Sequence, residues 1–346
     1  MSRARRNRPH PHAAGTQMRP PQEPLTLSVV IPAWNAEDFI GECIASLLDR
    51  APDDLEIIVV DDGSTDATGA IAEQCAADDG RVRVLHQANA LTAAARNAGL
   101  QAARGTYVGF VDDDDVVEPG WARTLLAAAA RRHPAIVKGE LRKFRDGREL
   151  LPRPESCRFM AANTPLHWFS NVWSAIYRRD FVLGHGLHFA PEYYSDDADF
   201  QVRAVVAALL DHERIELCPQ AVYRYLRRAD STDSFRLSSR KIACALTTYR
   251  GLHELLCTHA AQLPPSGIGL QYFTWIRNLL NMPRRAERAE DGREALALAR
   301  ILTDECPVPG ELNQLLREAC TAAVKCSGAG GGMTPPAPLP ETDHTG

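Results

Sequence analysis

Apolar and polar positions in the first 135 residues follow a repeated block. Each block has a short, nearly continuous apolar run, a polar loop, and then apolar positions at helical spacing. Residues 25–31 are the first such run, the pattern of a strand buried on both faces. Pro32 is expected to end it. Asn35, with Asp38 three residues on, is expected to cap a helix whose apolar stripe is Phe39, Ile40, Cys43, Ile44, Leu47 and Leu48. The block recurs as strand 55–60, the polar stretch Asp61-Asp62-Gly63-Ser64-Thr65-Asp66, and a helix to about residue 77. Strand 82–85 and the Ala-rich helix 91–103 follow. Strand 106–111 then ends in four aspartates, Asp112, Asp113, Asp114 and Asp115, and Pro119 suits the first turn of a helix over 120–132. Such alternation predicts right-handed βαβ units and a parallel sheet covered on both faces, with ligands bound at the carboxyl ends of the strands.

Beyond residue 135 the period changes. Short strands are predicted at 135–138 and 141–144 around Gly139, then at 173–177, 215–217 and 222–226, with a helix at 198–210. Four helices follow, near 238–259, 268–281, 287–303 and 310–325, with Pro264-Pro265-Ser266-Gly267 as a break. Residues 1–24 are rich in Arg, Pro and His without periodicity, and 327–346 are rich in Gly, Pro and Thr; both are predicted to be disordered. The expected division is therefore a tail at 1–24, an α/β domain at 25–234, a helical region at 235–326 and a second tail at 327–346.

Composition narrows the function. The chain is 45% apolar and 24% charged, with a formal net charge of −5, which argues against a general nucleic-acid binder. Only four of the 39 basic residues are Lys. The nine Cys show no C-x-x-C pair, which fits a reducing compartment, so the expected location is cytoplasmic. No apolar run approaches the roughly 20 residues of a transmembrane helix, and the basic N-terminus lacks the apolar segment of a signal peptide. No sequence feature sets an oligomeric state.

The candidate chemistry sits at the strand ends. Strand alternation would aim Asp112 and Asp114 at one point, where two carboxylates suit a hard divalent cation such as Mg2+ or Mn2+. Alone, the run reads first as a solvated acidic turn. Asp61 and Asp62 could accept from a base or a ribose, or simply cap a turn. Trp34 could stack on a planar base or belong to the core. Arg96 could pair with a phosphate or a site carboxylate, or lie on the surface.

Taken in order, IPAWNAEDFI, IIVVDDGSTDAT, AARNAGL and GTYVGFVDDDD resemble family 2 of the nucleotide-sugar-dependent glycosyltransferases. The resemblance implies the GT-A fold, a Rossmann-like mixed sheet with helices on both faces, here with a C-terminal helical region added. It also implies a UDP-sugar donor, Mn2+ or Mg2+, and inversion at the anomeric carbon. Carried over, Pro32, Trp34, Asp62, Arg96 and Asp113 belong to the donor-binding set, Trp34 replacing the usual Tyr near the base and Asp62 holding the uracil. Asp112 and Asp114 match the D-x-D motif for metal and diphosphate, and Asp113 departs from the usual small residue between them. Leu91 stands where many relatives have Gly. Downstream, GLHFAPEYYSDDADFQVR places Asp197 on the catalytic base, beside Asp196. VYRYLRRADSTDSF offers Arg224 and Ser231 as loop or diphosphate contacts. Asp115 is expected to orient the acceptor or cap the following turn.

The expected reaction moves a sugar, N-acetylglucosamine by family frequency, onto a hydroxyl of a soluble acceptor. The acidic, aromatic stretch around Glu192, Tyr193, Tyr194, Asp196, Asp197 and Asp199 suits a cationic acceptor, such as an intermediate of aminoglycoside antibiotic biosynthesis. The alternatives are a transferase for cell-surface polysaccharide or a lipid-linked saccharide, and a non-catalytic sugar-nucleotide-binding relative.

Overall fold

The computed structural model describes residues 26–145, 147–150, 171–190, 196–226 and 237–307. Nine strands form one sheet in the order β3-β2-β1-β4-β8-β6-β9-β5, with β7 paired to β6. In chain order the strands are β1 (Leu27–Ala33), β2 (Leu55–Asp61), β3 (Val82–His86), β4 (Tyr107–Phe110), β5 (Val116–Val117), β6 (Ile136–Arg145), β7 (Arg148–Glu149), β8 (Ala175–Arg178) and β9 (Ile215–Leu226). The helices are α1 (Ile40–Leu48), α2 (Thr68–Asp78), α3 (Leu91–Ala102), α4 (Trp121–Arg132), α5 (Arg179–Gly184), α6 (Asp196–Leu210), α7 (Ser239–Thr258), α8 (Pro265–Arg285) and α9 (Ala289–Asp304).

The first four strands are parallel, as the βαβ pattern requires; the apolar residues of β1, β2 and β4 are buried on both faces, while those of the edge strand β3 are partly exposed beyond Val82. The sheet then becomes mixed: β8 runs antiparallel to both β4 and β6, while β6 and β9 are parallel. Pro32 does not end β1, which continues to Ala33. Backbone direction alternates along a strand, and Val30 and Ala33 send their carbonyls to opposite neighbours, β4 and β2. The missing Pro32 N–H therefore faces β4, whose pairing has already stopped at Val30.

Asn35 does not cap α1. Its φ is +51°, Phe39 stands at the N-cap, and the helix opens one turn later at Ile40. The Asn35 carboxamide instead accepts from the Thr65 N–H at 2.8 Å, tying the β1 and β2 loops together. Gly139 does not break β6 but marks a bulge, where an added Cβ would lie 2.4 Å from the Ala221 carbonyl. Likewise β9 is continuous where two strands were expected.

The C-terminal helices have no separate core among the described residues. Ile242, Leu246 and Tyr249 of α7, Trp275 of α8 and Leu298 of α9 share one apolar cluster with Val30, Ile58 and Phe110 of the sheet. No helix among the described residues is long and apolar enough to cross a membrane. The predicted helix at 310–325, both tails and Ser231 lie outside the described residues.

Candidate active site

The carboxyl ends of β1, β2 and β4 open side by side. At the mouth of β1, Trp34 is 56% exposed and so is not core, and its backbone N–H donates to the Asp113 carboxylate at 3.1 Å. This bond joins the β1 mouth to the aspartate run. At the mouth of β2, Gly63 takes φ +73°, and a Cβ there would lie 2.8 Å from the Asn89 nitrogen. Only glycine fits that turn. The turn lets the buried Asp62 accept from Gln87 Nε2 at 2.7 Å and from the Ala90 N–H at 2.9 Å. Beside it Asp61 accepts from the Ser64 N–H at 3.1 Å and meets His86 Nδ1 at 2.9 Å, while His86 Nε2 meets Glu73 at 2.9 Å. Burial pushes Asp61 up, but the Ser64 and His86 bonds prevail and hold its carboxyl below its ordinary value.

The four aspartates sit in a turn, not on an extended strand, with the Asp115 N–H bonded to the Asp112 carbonyl at 3.2 Å. The simple alternation of Asp112 and Asp114 therefore fails, because β4 ends at Phe110. Three of them are placed by different neighbours. Asp112 accepts from Arg96 Nη2 at 2.7 Å, and Asp113 accepts from Trp34. Asp115 is 1% exposed and accepts from the Tyr223 hydroxyl and the Leu226 N–H, both at 2.7 Å. It pins β9 to the turn, and burial puts it out of an acceptor's reach. Burial also pushes the carboxyls of Asp112 and Asp115 above their ordinary value, against the opposing pull of Arg96 on Asp112.

Arg96 is the hub. It lies on α3, is 4% exposed, and bridges Asp112 to Asp196, its Nη1 meeting Asp196 Oδ2 at 2.9 Å. Its guanidinium sits 5.4 Å from the Phe189 ring centroid. The adjacent Asn97 clamps the Phe189 backbone with two bonds, of 2.7 and 2.8 Å, which fixes the approach to α6. Asp196 and Asp197 open α6, where the helix dipole favours carboxylates. Burial, then the charge of Asp196, pushes Asp197 up to about 7, with Arg96 opposing.

Arg224 is not brought to this cluster. Alternation along β9 turns it away from Tyr223, and its guanidinium lies 4.5 Å from the Phe144 ring centroid and 3.7 Å from Glu118.

The comparisons decide the family. Residues 28–191 match the family model Glycosyl transferase family 2. That segment is a family 2 glycosyltransferase domain. The chain is 36% identical over 219 residues to the uncharacterized glycosyltransferase EpsJ of Bacillus subtilis, covering 59% of this chain and 62% of that protein. It is 31% identical over 227 residues to the putative glycosyltransferase EpsH of the same organism, covering 60% and 65%. The chain thus spans less than two thirds of the length of these curated relatives. In fold it is similar to S. aureus TarS 1–349, solved in complex with UDP-GlcNAc, with a TM-score of 0.65 at 20% identity over 87% of this chain and 89% of that one.

Within the glycosyltransferase domain the donor set for a divalent ion is sparse but suitable. Among the described residues no three His, Cys, Asp or Glu side chains gather as a closed metal site. Mg2+ is commonly held by one or two carboxylates, with substrate phosphates and water completing the shell, and Asp112 and Asp114 are oxygen donors of that kind.

Two residues escaped motif reading. Tyr223 donates to Asp115, and its oxygen accepts from the Asp112 N–H at 3.2 Å. Lys138 is buried on β6, with Nζ 3.0 Å from the Asn171 carbonyl and 2.8 Å from Asn171 Oδ1. Lys138 had one visible signal: a rare lysine inside an apolar strand.

Proposed function

We propose that this chain is an inverting glycosyltransferase that moves a sugar from a UDP-sugar to an acceptor hydroxyl. The observation that carries the reading is Arg96, buried between Asp112 and Asp196. It joins the aspartate run to the helix bearing Asp197. Asp197 is the general base. It takes the acceptor proton as the acceptor oxygen attacks the anomeric carbon and the bond to the UDP oxygen breaks on the opposite side. A carboxyl raised to about 7 suits a base working near neutrality. It must be ionised to act, so the rate rises as pH passes about 7.

Trp34 and Asp62 border the donor base, with Pro32 and Asp113 fixing the Trp34 backbone. A divalent ion on Asp112 and Asp114 would offset the charge of the departing diphosphate. UDP-N-acetylglucosamine is the first donor to test, supported by the fold shared with TarS, which binds it. The carboxylates of Asp196 and Asp197 support a cationic acceptor, such as an aminoglycoside-type intermediate. Of the aromatic stretch once joined to them, Glu192, Tyr193 and Tyr194 lie outside the described residues.

UDP release from a panel of UDP-sugars, with Mn2+ or Mg2+ and with EDTA, tests the reading in wild type and Asp197→Asn. The variant should lose about 10²–10⁴-fold in rate while still binding UDP. Equal rates in the two proteins would favour the non-catalytic binding alternative. Acceptor affinity should weaken steeply with salt; salt-independent affinity would discard the cationic acceptor.

A further inference from the structure

The Asp62 carboxylate is buried at the mouth of β2, yet its two oxygens are used unequally. Oδ1 accepts from Gln87 Nε2 at 2.7 Å and from the Ala90 N–H at 2.9 Å. Those two donors fill its two lone pairs. No described residue donates to Oδ2. The arrangement is held by the backbone around it. The Gln87 N–H donates to the Asp61 carbonyl at 3.0 Å, so the chain leaving β3 stays fastened to the end of β2. Residues 87–89 then press on the turn: a Cβ at Gly63 would lie 3.3 Å from the Gln87 carbonyl and 2.8 Å from the Asn89 nitrogen. The Asp62 N–H donates to the Ala33 carbonyl at 2.8 Å, which places Asp62 beside Trp34 and its exposed ring.

We propose that Gln87 is a positioning residue that sets the choice of nucleobase: together with Ala90 it fills Asp62 Oδ1, leaving Oδ2 alone to read a single ring N–H, the pattern of uracil. The inference rests on the nucleotide-sugar reading above. A base lying on the Trp34 ring presents its edge, not its face, to the strand mouth beside it. Uracil offers one N–H there, between two carbonyls, and one open carboxylate oxygen satisfies it. Cytosine carries a lone pair at the same ring position, which a carboxylate repels. Guanine offers a ring N–H and an amino N–H side by side, the match for both oxygens of a carboxylate. With Oδ1 filled, one of those two goes unmet, and a donor left unmet in a site is costly. The single open oxygen therefore selects against guanine as well.

Equilibrium binding of UDP, GDP and CDP with Mg2+ tests this, by calorimetry on wild type and on Gln87→Met, which keeps the side chain's length and removes its donor. Wild type should hold UDP about tenfold tighter, or more, than GDP or CDP. In Gln87→Met, UDP should weaken by about tenfold as Asp62 loses its fixed orientation. GDP should hold or tighten, because Oδ1 regains a lone pair, so the preference for UDP over GDP falls by about tenfold or more. A glutamine that only supports the fold would weaken all three nucleotides alike, and an unmoved preference overturns the inference. The 5′-diphosphate of 3-methyluridine, which lacks the imide proton, probes the ligand side in wild type alone. It should bind no better than CDP; binding equal to that of UDP also overturns the inference. Either result, in a wild type that binds UDP, leaves the enzymatic reading standing, whereas a wild type that binds none of the nucleotides overturns both.

Discussion

Asp61 and Asp62 close β2, and Asp112 to Asp115 close β4, with β1 lying between the two strands. Both runs begin as paired aspartates after a buried apolar strand. At β2 the donors are local: the Ser64 N–H, His86, Gln87 and the Ala90 N–H all lie within 28 residues. Of these, Ser64 and His86 outweigh burial at Asp61 and hold it below its ordinary value, while Gln87 and Ala90 serve Asp62. At β4 the cation is Arg96, shared with Asp196, which is 100 residues further along than Arg96. Asp115 is met only by a hydroxyl and an amide, and burial wins at both Asp112 and Asp115. The same sequence feature therefore yields carboxyls satisfied by near neighbours in one place and carboxyls pushed up by burial in the other.

Removing the shared cation should break this contrast most severely. Arg96→Ala strands Asp112 and Asp196 together, and breaking a buried pair costs about 3–5 kcal/mol. Chemical denaturation should show that loss, with partial recovery as the pH falls and the carboxylates take protons; a loss under about 1 kcal/mol would mean that solvent already screens the pair. Next in size, Asp115→Ala leaves the Tyr223 hydroxyl and the Leu226 N–H without their acceptor. That should cost about 1–3 kcal/mol in urea melts, whereas Asp62→Asn, which keeps the acceptor oxygen, should cost under about 1 kcal/mol.

The two runs should also differ in the sign of their pH dependence. Asp61 is depressed on folding, so its contribution is present above the ordinary carboxylate range and disappears as pH falls through its folded value. The stability gap between wild type and Asp61→Asn should close in acid. Asp115 is raised on folding, so stability is lost as pH rises through its window, and Asp115→Asn should flatten that decline. Denaturation midpoints across pH check both; slopes of the same sign would erase the contrast.

The smallest effect belongs to Leu91. It holds φ +72° at the start of α3, next to the Ala90 N–H that serves Asp62, and its side chain is exposed. Leu91→Gly should relieve that strain and raise stability by up to about 1 kcal/mol, read as a higher melting temperature. The departure from glycine noted in the sequence is thus a strained backbone position beside the Asp62 turn.

The order of strands and helices was legible because it is written in local periodicity, and the first four strands need only their own apolar runs to be buried. Where the reading slipped, long-range pairing had intervened. Pro32 stays in β1 because its bare nitrogen faces a neighbour that has stopped pairing. Gly139 bends β6 without breaking it because the Ala221 carbonyl passes close by. Asn35 caps nothing because the β2 loop claims its side chain.

By itself the sequence determined the family, the succession of elements and the residues able to carry charge to the strand mouths, because each depends on residue type and spacing along the chain. Only the tertiary structure decided what each charge does. Asp112 faces Arg96, Asp115 is sealed under β9, Arg224 turns to the opposite face, and Lys138 is buried on β6 against Asn171. The reason is physical: burial and charge pairing depend on which distant segments meet, and a carboxylate's behaviour follows from its neighbours in space.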